Sequence, residues 1–315
     1  MKIKDKCLIY PLFIPHEACP GTCIYCDQGK ITGAPPFDLE QAATAVSAFI
    51  KRNPSRTKEI AFYGGTFTAL PAEQQEAYLA RIHSLLDADS SIRISTHPLF
   101  ITPEVLTLCK KYRVHTIELG IQDFCERPLR NSGRNYSPAQ AWAAAQQVQA
   151  SGFLLGVQLL PGLPGSDQAS ISQNQSILIA LKPDFLRLYP LIVIRGTRLA
   201  QIYLNSEYQA FSLAEAIKIC ADYTELCRQH DIRIIKYGLP SNLDPREVVA
   251  GPYHPAFGEL VLQELLIRRV NTTPKLLAHL TPQEQQLLKA HSCQYLQQMQ
   301  HKSCPPKNHN QALRN

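Results

Sequence analysis

The feature that most constrains the fold is a regular alternation of apolar, strand-like runs with helical patterns over residues 7–195. Six runs rich in β-forming residues read as buried strands, and five helical patterns separate them. The runs are CLIYPLFI, EIAFY, IRIS, VHTIELG, FLLGVQLL and FLRLYPLIVI, which begin at residues 7, 59, 92, 114, 153 and 185. The helical patterns cover residues 39–52, 71–86, 103–112, 138–151 and 166–181. Ser137 and Gly152 are the residue types expected for an N-cap and a C-terminal stop around the fourth helix.

This alternation predicts an α/β fold. Strands joined by helical crossovers are almost always parallel and right-handed, so we expect an incomplete (β/α)6 TIM-like barrel. After Arg195 the pattern changes to a helix at 212–229, the strand-like IRIIKYGL and a mixed segment. We therefore predict a core barrel over residues 1–195, a C-terminal α+β extension packed on it over 196–280, and a polar helix and tail over 281–315. The active site should lie beyond the carboxyl ends of the strands.

Charge and hydropathy limit the classes of partner. The formal net charge is +6, with Lys and Arg scattered along the chain, so nucleic acid is permitted as a partner but not indicated. No stretch approaches the roughly 18 continuous apolar residues needed to span a bilayer, and the N-terminus lacks a small-residue cleavage site after its short apolar run. We expect a cytoplasmic protein with no membrane partner. Ten cysteines in a reducing compartment favour metal ligands over a disulfide framework.

One loop has metal-ligand spacing. It follows the first strand and reads IPHEACPGTCIYCDQG, so Cys19, Cys23 and Cys26 form a CxxxCxxC set. Three thiolates from one loop would hold three irons of a 4Fe-4S cubane and leave the fourth iron open to an external ligand. The alternative is a closed zinc site with His16 as the fourth ligand. The place of this loop at a strand end favours the cluster, because barrel enzymes carry their chemistry there.

The other strand ends supply glycine and polar residues to the same rim. Gly64 and Gly65 follow the second strand and allow a ligand to approach the backbone closely, and Thr66 adds a hydroxyl. Further polar residues stand at or near the ends of the third, fourth and fifth strands, namely Ser95, Thr96, Gln122 and Gln158. The cysteines outside the loop are not assigned to metal; Cys220 and Cys227 are predicted core residues of one helix. His254 is expected to cap or pack.

Five ordered motifs resemble the radical S-adenosylmethionine (SAM) superfamily, and the nearest branch is that of the catalytic subunit of elongator with its archaeal and bacterial relatives. They are CxxxCxYC, YGGTFTALP, TIELGIQ, LLPGLPGS and LRLYPLIVIRGT, within residues 7–200, and GPYHPAFGELV resembles the extension of bacterial members. The resemblance implies that the loop cysteines bind the cluster, that Tyr25 lies against the cofactor, and that Gly64, Gly65 and Thr66 hold the methionine end of SAM. It further implies that the ribose and the rest of SAM are approached by Ser95, Thr96, Gln122 and Gln158.

The activity implied by the resemblance is reductive cleavage of SAM at the 4Fe-4S cluster, followed by hydrogen abstraction from a substrate. A one-electron donor of the flavodoxin or ferredoxin type is then expected as a partner. The substrate stays open between an RNA base, with tRNA as the candidate, and a smaller metabolite or protein side chain. Nothing after Leu280 is long enough to form the acetyltransferase domain of the elongator subunit. A hypothesis from another class is a non-catalytic zinc or iron-sulfur protein that binds nucleic acid.

Overall fold

The computed structural model describes residues 7–14, 18–19, 21, 23–239 and 243–288. The strands are β1 (Leu8–Phe13), β2 (Lys58–Tyr63), β3 (Ser90–Thr96), β4 (Val114–Gln122), β5 (Leu154–Leu159), β6 (Phe185–Leu188), β7 (Val193–Ile194), β8 (Arg233–Tyr237) and β9 (Val248–Ala250). The helices are α1 (Gln28–Thr32), α2 (Leu39–Arg52), α3 (Ala72–His83), α4 (Pro103–Lys111), α5 (Glu126–Asn131), α6 (Pro138–Ala150), α7 (Gln168–Leu181), α8 (Arg198–Leu204), α9 (Leu213–Gln229) and α10 (Phe257–Thr272).

One parallel sheet organises the fold. Its order is β1-β2-β3-β4-β5-β6-β8, and every neighbouring pair is parallel. This confirms the α/β, incomplete-barrel class. The sheet has seven strands rather than the six of the predicted (β/α)6 core, because β8, which was assigned to the extension, joins its edge. As an edge strand β8 is only partly buried and lacks a continuous apolar run. A separate antiparallel pair joins β7 and β9.

The helices form where capping residues and periodicity agree. Ser137 is the N-cap of α6 and makes a reciprocal capping box with Gln140, and Pro138 occupies the first turn. Gly152 follows the helix with φ of +81°, a left-handed conformation that glycine adopts readily. The predicted N-cap and stop are therefore confirmed. The first predicted helix, residues 39–52, has the same bounds as α2.

Two compact units divide the chain, Met1–Phe257 and Gly258–Asn315. In the second, α10 carries an i,i+4 ion pair between Glu264 and Arg268, with Nε and Oε1 2.9 Å apart, and residues 282–288 are helical. The predicted division at residues 195 and 280 stays a prediction. The rest of the polar tail, with Cys293 and Cys304, lies outside the described residues. No helix in the described ranges is both long enough and apolar enough to cross a bilayer.

The inward face of the sheet contains charged residues among the apolar ones. Glu118 of β4 is fully buried and lies between Arg93 of β3 and Arg187 of β6. The guanidinium carbon of Arg93 also lies 4.8 Å from the centre of the Phe185 ring, a cation–π arrangement. Gly156 makes room for that ring, because a Cβ added there would lie 2.4 Å from a Phe185 ring carbon and 2.9 Å from Cγ of Glu118. The glycine is thus a packing requirement of the barrel interior.

We expect Gly156→Ala to lower the free energy of unfolding by about 1–3 kcal/mol or more, because the ring and the ion network must move to admit one methyl group. Urea denaturation followed by circular dichroism measures this. Gly29→Ala in α1 is the matched control: its added Cβ would lie 3.4 Å from Asp27 Oδ1, an ordinary contact. The control should be neutral or stabilising by roughly 0.5–1 kcal/mol. Equal effects of the two substitutions would contradict the packing role.

Candidate functional site

A cavity of about 440 Å³ opens at the carboxyl ends of the strands. All the predicted site residues line it, and they come from the ends of five strands and the loops that follow them. They are Cys19, Cys23, Tyr25, Cys26, Gly64, Gly65, Thr66, Ser95, Thr96, Gln122 and Gln158. The structure therefore brings together the whole set that the sequence analysis placed on one rim.

Backbone hydrogen bonds and packing hold the part of the cysteine loop from Cys23 to Cys26. The amide of Ile24 donates to the carbonyl of Ser132 at 3.1 Å, and its carbonyl accepts from the amide of Leu199 at 2.8 Å. Ile24 and Tyr25 also pack in a buried cluster with Leu199 and other residues from β7 and α8. The segment between Cys23 and Cys26 is consequently held from two sides by chain segments far away in sequence.

Each of the three predicted ligand sulfurs has its own polar neighbour. Cys19 Sγ lies 3.4 Å from the hydroxyl of Thr66. The guanidinium of Arg134 donates to Cys23 Sγ at 3.3 Å. The side-chain amide of Gln28 donates to Cys26 Sγ at 3.5 Å. Hydrogen bonds to sulfur stabilise its negatively charged form and tune metal–thiolate centres. The loop thus has a donor set suited to thiolates.

Burial has the opposite effect on the thiols, because it raises their pKa values and so favours the neutral form. Desolvation raises the pKa of Cys26 to about 12 and also raises the pKa of Cys19, where the Thr66 contact partly offsets it. Both thiols therefore favour the neutral form, and each would have to release its proton to act as a metal ligand. Among the described residues no three Cys, His, Asp or Glu side chains converge on one point as ligands of a single ion would. The fourth ligand of the alternative zinc site, His16, lies outside the described residues.

Three of the predicted SAM contacts, Ser95, Thr96 and Gln158, are hydrogen-bonded to neighbouring side chains, and two others carry buried polar atoms without a partner. The hydroxyls of Thr68 and Thr96 are 2.6 Å apart, which ties the loop after β2 to the end of β3. Gln158 donates to the hydroxyl of Ser95 at 3.2 Å. These pairs orient the wall of the cavity.

The unpartnered groups are Tyr25 Oη and Gln122 Oε1, both buried and without a hydrogen bond among the described residues. Burial holds the pKa of Tyr25 well above its usual value, so the group is a neutral hydroxyl. Gln122 also has φ of +67°, a left-handed conformation that costs a non-glycine residue of order 1 kcal/mol. Buried polar atoms without partners usually receive them from a ligand or water.

Sequence reasoning missed several residues that line this cavity. Arg134 is 8% exposed, and besides Cys23 it donates to the carbonyl of Gly120. It stands in a loop with no motif of its own, so no local signal marks it. Tyr63, Arg187 and Lys236 also line the cavity. The available signal for Arg187 was a charged residue inside an otherwise apolar strand.

Two histidines take roles other than proton transfer. His97 lines the cavity, but burial, together with nearby Arg134, lowers its pKa to about 3, so it is neutral at physiological pH. His254 accepts a hydrogen bond from the amide of Ala256 at 3.1 Å and caps its own turn, as expected. Cys220 and Cys227 are buried core residues of α9, which confirms that prediction.

Comparisons with known proteins bear on the family of this chain. Residues 13–173 match the profile of the Radical SAM superfamily, and residues 183–266 match the Radical SAM C-terminal domain. Elongator complex protein 3 of Mus musculus is 25% identical over 251 residues, which cover 66% of this chain and 46% of the relative. The tRNA uridine(34) acetyltransferase of Methanocaldococcus jannaschii is also 25% identical, over 64% of this chain and 46% of the relative. The chain thus spans about half the length of these curated relatives.

Solved structures show the same fold. The N-terminally truncated Elp3 of Methanocaldococcus infernus superposes with a TM-score of 0.67 at 20% identity, over 84% of this chain and 64% of that one. Methylornithine synthase has a TM-score of 0.51 at 14% identity, over 85% and 82% of the two chains. Because the superfamily profile covers more than half of the sequence, the chain belongs to the radical SAM superfamily.

Proposed function

We propose that this radical SAM enzyme holds a 4Fe-4S cluster on Cys19, Cys23 and Cys26 and binds SAM in the same cavity. The observation that carries the proposal is that all three sulfurs line one cavity and each meets a separate polar group. When bound, the cluster and SAM supply reductive cleavage of SAM and hydrogen abstraction from the substrate. The protein residues position the two cofactors and the substrate and exclude water.

The cavity residues suggest how SAM would be held. Gly64 and Gly65 would let the cofactor's amino and carboxylate groups approach the backbone, and the hydroxyl of the next residue, Thr66, lies 3.4 Å from Cys19 Sγ. The unpartnered Tyr25 hydroxyl and Gln122 carbonyl would hydrogen-bond the cofactor. Ser95, Thr96 and Gln158 would approach its ribose side. Arg134 would supply positive charge beside Cys23.

The partners follow from the proposed chemistry. An electron must come from a one-electron donor of the flavodoxin or ferredoxin type in the cytoplasm. tRNA is the first candidate substrate, since one relative is named a tRNA uridine(34) acetyltransferase. This chain corresponds to 46% of that relative, so the relative's acetyl transfer is not carried over. A small metabolite or a protein side chain is the other candidate substrate class.

Replacing Cys19, Cys23 or Cys26 by Ala should abolish the cluster, because two thiolates do not hold the cubane firmly. After anaerobic reconstitution, iron should fall from about four atoms per chain to a small fraction of that, together with the visible absorption. Cys109→Ala is the matched control, a buried cysteine of α4 outside the cavity, and it should keep its iron. Unchanged iron in all three loop variants would contradict the assignment.

The reconstituted enzyme, given dithionite and SAM, should release 5'-deoxyadenosine slowly even without substrate. Gly65→Val should reduce this release by about tenfold or more while iron content stays unchanged, because the valine fills space meant for SAM. Gly65 suits this test since, unlike Gly64, it does not have a positive φ. Ala72→Val on the exposed first turn of α3 is the control. An iron-replete wild-type protein that never cleaves SAM would favour the non-catalytic alternative.

A further inference from the structure

The cavity has two walls of different character. The predicted cluster and SAM residues all come from the ends of β1 to β5 and the loops that follow them. The wall formed by β6 and β8 contributes none of these, yet Arg187, Tyr189 and Lys236 line the same cavity from that side. A substrate bound beside the cofactors would therefore contact this wall.

Arg187 is held rigidly in this wall. Its Nε lies 2.8 Å from Oε2 of Glu118, and its Nη2 donates to the hydroxyl of Tyr63 at 2.7 Å and to Glu118 Oε1 at 3.0 Å. Glu118 is fully buried and pairs with Arg93 as well. The guanidinium therefore has a fixed position and shares its carboxylate with another cation.

Lys236 stands directly beside Arg187. The two residues are register partners on the parallel strands β6 and β8. Within the described part of the chain, Lys236 makes no ion pair or hydrogen bond, so its ammonium group keeps three free donors. This wall of the cavity therefore carries two cationic residues on adjacent strands.

The charges of the barrel interior do not balance on this side. Arg93 and Arg187 pair with the two carboxylates, Glu59 and Glu118. Lys236, on the strand beside Arg187, pairs with neither, so its positive charge has no partner among the described residues. The neighbouring Tyr189 hydroxyl accepts from Nη1 of Arg187 at 3.2 Å, which leaves its own proton free to donate. An ammonium group and a hydroxyl proton beside a fixed guanidinium match the oxygens of an anion.

We infer that the Arg187–Lys236 wall is an oxyanion subsite that binds a phosphate or carboxylate group of the substrate, which rests on the proposed function. The anion supplies the missing negative charge, and Lys236 makes the charge-assisted contact. Arg187 and Tyr189 set its position. The subsite would thereby fix how far the substrate enters the cavity, so that one particular hydrogen faces the cofactors.

The test uses the reconstituted full-length protein under anaerobic conditions. Binding of inorganic phosphate and of acetate is measured by calorimetry at constant ionic strength, for the wild type, Lys236→Gln and Lys236→Arg. Lys110→Gln, an exposed residue of α4, is the matched control. Lys236→Gln should weaken anion binding by about tenfold or more, since the charge-assisted hydrogen bond from its ammonium group to the anion is lost. Lys236→Arg and Lys110→Gln should stay within a few-fold of the wild type.

The unfolding midpoint shows whether a loss of anion binding comes from loss of the site or from loss of the fold. Because Lys236 makes no ion pair or hydrogen bond within the described residues, the unfolding midpoint of Lys236→Gln should equal that of the wild type in anion-free buffer. Tighter binding of phosphate than of acetate identifies a phosphate-bearing substrate, and the reverse order identifies a carboxylate; both orders support the subsite.

Three outcomes would overturn the inference. The first is the absence of saturable anion binding to the wild type, and the second is equal binding in Lys236→Gln. The third is competition between SAM and phosphate together with weakened SAM binding in Lys236→Gln, which would assign the wall to the carboxylate of SAM. Iron content and 5'-deoxyadenosine release are measured on the same samples. If these fail while anion binding behaves as expected, the proposed function is wrong and the subsite stands.

Discussion

The inward face of the barrel depends on one buried carboxylate. Glu118 accepts hydrogen bonds from Tyr63, Arg93, Gln158 and Arg187, which belong to β2, β3, β5 and β6. Removing a carboxylate from water costs several kcal/mol unless paired charges and donors replace the water. Complete burial acts to raise the pKa of Glu118, but Arg187 and Arg93 outweigh it and hold the pKa below its usual value. The group is therefore charged at neutral pH and links four strands.

Glu118 also determines how side chains at the bottom of the cavity are oriented. Gln158 reaches from Glu118 to the hydroxyl of Ser95, and Arg187 reaches from Glu118 to Tyr189. Side chains that would otherwise be free to rotate at the strand ends are thus oriented from below. The rim loops then contribute the cysteines and glycines on a base that is already rigid.

Sequence patterns predicted the features of the molecule that depend on interactions between residues close together in the chain. Strand–helix alternation predicted the parallel sheet, and the caps of α6 predicted its ends, because both depend on near neighbours. The edge strand β8 was assigned elsewhere because half-burial removes the apolar run that marks a central strand. The sequence analysis identified the cavity residues that belong to recognisable motifs, but it did not identify Arg134 and Lys236. The role of Arg134 depends on its contact with Cys23, 111 residues away, and that of Lys236 on its register with Arg187 across two strands. A single sequence shows neither relation.

The polar neighbours of the three sulfurs have a consequence for the order of events during maturation. Gln28 lies two residues from Cys26, but Thr66 comes 47 residues after Cys19 and Arg134 comes 111 residues after Cys23. The surroundings of two sulfurs are therefore complete only when β1, β2 and the loop after β4 have come together. A nascent or partly folded chain would present the same cysteines without these donors. The proposed cluster would therefore find all three of these donors only after the sheet has assembled.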